Sequence, residues 1–140
     1  MILQLTRTLG VAAVVLALGL TARVRAQDSP RVQTQGGVTF TTGGVGTDER
    51  AAIEAISSQF NLKITMATKT GHFEGDAGVR IVDAEGHTAL DAKTDGPLFY
   101  AHLAPGTYKV IVNRKGKDVQ ETAHVTDKGQ AQLQFTWSDD

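Results

Sequence analysis

The sequence predicts an all-β protein: a seven-stranded antiparallel sandwich carrying one amphipathic helix on its N-terminal side. Two observations carry this. From Leu62 to the C-terminus apolar residues recur at every second position, the period of a half-buried strand, in runs separated by Gly-bearing turns about ten residues apart. Before Leu62 the period is 3.6 over a single stretch, Thr47 to Phe60.

Residues 1–26 are set aside first. Arg7 supplies a positive start, Leu9 to Leu20 is apolar or Gly throughout, and Val24-Arg25-Ala26 places small residues at a cleavage point, the layout of a secretory signal peptide. The apolar run is too short for a bilayer-spanning helix, which needs roughly 20 residues, so no transmembrane span is expected after cleavage. Removing 26 of 140 residues leaves 114, one ordinary domain. Three arginines leave with them, so 14 basic residues become 11 against 15 acidic ones, a net charge of −4. That mild acidity excludes a nucleic-acid footprint. The chain has no Cys, so its stability must come from a core, and thiolate metal sites and thiol catalysis are excluded.

Residues 27–46 form a polar, then Gly-rich, lead. Gln27 to Gln35 reads as an arm or a short edge strand, and Val38 to Thr42 is β-competent between glycines. Gly43-Gly44-Val45-Gly46 lacks the Gly-Lys-Ser/Thr ending of a phosphate loop and reads as a turn. The helix spans 47–60, with Thr47 as N-cap, Asp48 and Glu49 in the first turn, Ile53, Ile56 and Phe60 as its apolar stripe, and Asn61 as stop residue.

The sandwich spans 61–137. Its expected core is Leu62, Ile64, Met66, Val79, Ile81, Leu90, Leu103, Tyr108, Val110, Val112, Val125, Leu133 and Phe135. The most distinctive piece is Leu103-Ala104-Pro105-Gly106-Thr107-Tyr108. Pro105 presets a turn, Gly106 frees it, and Tyr108, Val110 and Val112 then share one strand face.

That segment, with Gly78-Val79-Arg80-Ile81-Val82-Asp83, Glu85-Gly86 and Asp95-Gly96, resembles carboxypeptidase regulatory-like, or transthyretin-like (prealbumin-like), β-sandwich domains. The resemblance implies a prealbumin-like strand order; an immunoglobulin-like order has the same periodicity. Such modules commonly accompany catalytic or transport domains rather than perform chemistry. The lead Gly43 to Arg50 is similar to that of small exported proteobacterial proteins, which implies a stand-alone periplasmic module.

No catalytic, cofactor-binding or metal-ligating residue is assigned. His72, His87, His102 and His124 share no ligand spacing. Glu74/Asp76 and Asp83/Glu85 sit in Gly-containing turns, where Asp bonds its own backbone. The transthyretin-like purine-pathway hydrolases, the enzyme or metal alternative, end in Tyr-Arg-Gly-Ser, whereas this chain ends Thr136-Trp137-Ser138-Asp139-Asp140. An isopeptide reading of Lys63 lacks an Asn on the last strand. Phe99 and Tyr100 are neighbours, so alternation predicts that one of them is an exposed aromatic beside Pro97, a candidate peptide or glycan contact. Arg114, Lys115 and Lys117 place three positive charges at a hairpin tip. The expected function is a non-catalytic exported module with a protein, peptide or glycan partner at the bacterial envelope.

Overall fold

The computed structural model describes residues 29–69 and 77–138. The protein is mostly β, with nine strands in two sheets and one α-helix among the described residues. In chain order the elements are β1 (Gln33–Gln35), β2 (Val38–Gly43), α1 (Thr47–Ala55), a 3-10 turn (Ser57–Gln59), β3 (Leu62–Thr68), β4 (Gly78–Val82), β5 (Thr88–Lys93), β6 (Leu98–His102), β7 (Gly106–Arg114), β8 (Lys117–Val125) and β9 (Ala131–Trp137). The first sheet runs β1-β2-β6-β3-β9 and the second β5-β4-β7-β8.

All seven expected strands are present, and two more precede the helix. β2 is hydrogen-bonded between β1 and β6, with Phe40 opposite Ala101. The lead from Gln33 is therefore part of the first sheet. A second correction concerns strand direction. β9 pairs with β3 in parallel, Leu62 with Ala131 through Thr68 with Trp137, so the sandwich is not wholly antiparallel. A period of 2 is the same for either direction, which is why alternation could not separate them.

The two sheets share one core. Ile64, Met66, Phe99 and Phe135 from the first sheet meet Val79, Ile81, Val110 and Val112 from the second, all at 1% exposure or less. Of the expected core, Leu133 alone is only partly buried, because β9 is an edge strand. Arg114 lies with its guanidinium 5.8 Å from the Trp137 ring centre and is itself buried. The Trp137 indole N–H has no hydrogen-bond partner among the described residues.

Helix α1 forms a third layer. Ile53 and Phe60, with partly buried Ile56, cover Leu98 and Tyr100 on the outer face of the first sheet. The stripe was legible, but the helix is shorter than 47–60. It stops at Ile56, whose φ of −105° and ψ of 6° leave α geometry, and Ser57–Gln59 continue as the 3-10 turn. Serines favour such ends by competing for backbone hydrogen bonds. Thr47 does not cap the helix. Gly46 occupies the N-cap position with φ 89°.

Candidate functional site

The glycines before α1 form a tight cradle around a side chain of the protein itself. Gly44 N–H donates to Glu49 Oε1 at 3.1 Å, and a Cβ on Gly43 would collide with that carboxylate. Glu49 thus fills the position that an anion would take in a phosphate loop, in agreement with the turn reading.

At one end of the sandwich a concavity of about 530 Å³ is walled by three stretches: Ser57 to Asn61, His102 to Pro105, and Thr126 to Gln130 excluding Lys128. It is the natural candidate site, because loops held on a rigid sheet edge are where such folds carry binding groups. Each wall is tied to another by a side chain that bonds backbone. Asn61 Nδ2 donates to Leu103 O at 2.7 Å, and Leu103 N–H donates to Asn61 Oδ1 at 2.9 Å. Gln130 Nε2 donates to Ser57 O and Phe60 O at 3.0 and 3.1 Å, a second bond for the Ser57 carbonyl, which also accepts the Phe60 N–H. At the second wall, Tyr108 Oη donates to Ala104 O at 2.6 Å, closing the Pro-Gly turn.

The Tyr108 bond gives a physical reason for the Leu-x-Pro-Gly-x-Tyr spacing. Donor and acceptor are four positions apart, so the ring folds back over the turn that Pro105 and Gly106 create. Burial, then the carboxylates of Asp83 and Glu85, push the phenol pKa above its usual 10.0.

The floor is apolar, with Phe60 and Leu103 both nearly buried. The rim holds the exposed side chains of Ser58, Gln59, His102 and Asp127. None of these four makes a side-chain hydrogen bond to another described residue.

The three described histidines do not converge. His87 lies in the β4–β5 turn, 3.6 Å from Asp83; His102 ends β6; and His124 is on β8 beside Thr107. His72, Glu74 and Asp76 lie outside the described residues. Among those described, no three His, Asp or Glu side chains gather as metal ligands. Asp83 behaves as expected of a turn, its Oδ1 accepting from the backbone N–H of Glu85 and His87. Lys63 faces the helix layer, with its ammonium 5.8 Å from the Tyr100 ring centre.

Two candidate contacts need correction. Phe99 and Tyr100 are both buried: Phe99 stacks on Phe40 inside the main core, and Tyr100 meets Phe60 beneath the helix. The exposed aromatic is absent because α1 covers the face to which Tyr100 points. Of the three cations at the β7–β8 tip, Arg114 lies over Trp137, which leaves Lys115 and Lys117 exposed there. The end groove itself went unrecognised. Its one signal was that Asn61, Leu103 and Gln130 each close or open an element, so their loops gather at one end.

No described helix is long and apolar enough to cross a membrane. No protein-family model matches the sequence, and no curated protein matches it.

Proposed function

We propose that this chain is a non-catalytic exported module of prealbumin-like strand order, working in the bacterial periplasm, whose end groove holds a protein, peptide or glycan partner. The observation that carries the reading is the division of labour among the groove's polar groups. Asn61, Gln130 and Tyr108 are committed to backbone and rigidify the walls, while Ser58, Gln59, His102 and Asp127 stand ready at the rim. A preformed apolar floor with a few convergent polar groups is the geometry of recognition. The leader-like segment 1–26 supports export, and the Tyr108–Ala104 closure supports the regulatory-like turn.

The test is amide chemical-shift mapping of the labelled protein, titrated separately with soluble envelope glycan chains and with short extended peptides. Binding in the groove predicts shifts clustered on Phe60, His102 and Gln130 with one of these probes, weakened severalfold in a Gln59→Ala/His102→Ala variant. Turnover of either probe, or shifts elsewhere that the double variant leaves unchanged, contradicts the proposal.

A further inference from the structure

Four strands form the sheet edges, and three of them are blunted. β1 has only three residues. β5 carries Asp91 and Lys93, and the Gln35 side chain accepts its Asp91 N–H at 3.3 Å. β8 bears Lys117, Asp118, Glu121 and His124. These are the usual defences against edge-to-edge pairing. β9 has none of them. Ala131–Trp137 is seven residues long, without charge, Pro or Gly, and its pairing with β3 runs without a register shift.

The open side of β9 can be identified from its two ends. Ala131 N–H donates to Asn61 O, and Trp137 O accepts from Lys69 N–H, both at 2.9 Å. Main-chain groups alternate sides along a strand, so those of residues 131, 133, 135 and 137 face β3. Those of Gln132, Gln134 and Thr136 face outward, where no described strand pairs with them. On the inner face Leu133 is left only partly covered, while Phe135 is 1% exposed.

We propose that β9 is the interface of a symmetric dimer, two copies adding edge to edge in antiparallel register about Gln134. This register overlaps the whole strand. Gln134 exchanges its N–H and C=O with the partner's Gln134, and Gln132 does the same with the partner's Thr136, so every outward main-chain group is satisfied. On the inner face Leu133 lies beside the partner's Phe135, and Ala131 beside the partner's Trp137, apolar against apolar. No charge meets a like charge at any position. The strand is complementary to itself, which a two-fold interface requires. The first sheets of the two copies become one continuous sheet.

The test uses sedimentation equilibrium of the purified protein and of Gln134→Lys and Gln134→Glu variants, with thermal unfolding as a check that the exposed substitutions leave the fold intact. The wild type is expected to dimerise. Each variant sets like charges face to face at the two-fold, which weakens association by about tenfold or more, and mixing the two variants restores a dimer of one copy of each. Amide exchange at Gln132, Gln134 and Thr136 slows in the wild-type dimer and is fast in either variant alone. A wild type that stays monomeric at high concentration overturns the proposal. So does a dimer that both Gln134 variants form as well as the wild type.

Discussion

Asn61 acts toward Leu103 as a strand neighbour would, with its side chain in place of a backbone. Its amide gives and receives one hydrogen bond with the two main-chain groups of Leu103, at 2.7 and 2.9 Å. Its own backbone meanwhile links Ala101 and Ala131, since Asn61 N–H donates to Ala101 O and Ala131 N–H to Asn61 O. One residue therefore joins β6, β3 and β9 at the groove.

Asn61→Ala is expected to destabilise the fold by about 2–4 kcal/mol, because two half-buried backbone groups lose their partners together. Asn61→Asp keeps the acceptor but turns a carboxylate oxygen toward Leu103 O, so it should be at least as harmful at neutral pH. Urea unfolding of both variants measures the loss. Two variants within about 0.5 kcal/mol of wild type would show that water replaces the tether at no cost.

Tyr108→Phe removes the bond to Ala104 and should cost about 0.5–1.5 kcal/mol near neutral pH. The alkaline limb gives a second readout. A phenol whose folded pKa is raised contributes stability that is fully present below its unfolded value near 10.0 and is lost as pH rises through the folded value. Stability of the wild type should therefore fall above pH 10, and the Phe variant should fall less steeply. Parallel wild-type and Phe curves above pH 10 would refute the assignment.

Gly96 sits against the backbone of Gly43, and a Cβ there would collide with the Gly43 carbonyl. Gly96→Ala should cost about 1–3 kcal/mol by forcing β2 away from the β5–β6 loop. Gly78 provides the control: its added Cβ meets nothing closer than Asn113 Cβ at 4.0 Å, so Gly78→Ala should stay within about 0.5 kcal/mol of wild type. Thermal unfolding of the pair checks the contrast.

Arg114→Ala should destabilise by about 1–2 kcal/mol through lost packing and cation–π contact with Trp137. Lys117→Ala, at an exposed site on the same hairpin, should change stability by less than about 0.5 kcal/mol. Equal effects from the two substitutions would mean that Arg114 contributes only as a surface charge.

The legible part of this fold was whatever a two-layer picture contains. Leu62, Ile64 and Met66, or Tyr108, Val110 and Val112, alternate because one face of each strand meets the core. Tyr100 shows where the reading failed. It points away from that core, as alternation requires, yet Ile53 and Phe60 bury it, so strand and helix patterns had to be combined in three layers. β2 was obscured for the same reason. Phe40, Thr41 and Thr42 are all buried, so its two faces do not differ in polarity. The groove was harder still to read. Asn61 looks like a helix stop in sequence, and its bonds to Leu103 depend on strand order, which local periodicity does not encode.

The parallel union of β3 and β9 also sets the order in which the molecule can assemble. In the second sheet β7 and β8 meet across a two-residue turn, Lys115-Gly116, with φ of 51° and 77°, so that hairpin can close from local contacts alone. In the first sheet Ile64 must wait for Leu133, 69 residues later in the chain (133 − 64). Contacts between such distant residues slow folding, because loop entropy is lost before they form. A folding chain would therefore hold β3 with one side open until β9 arrives, leaving an interval in which Ile64 and Met66 are exposed to other chains.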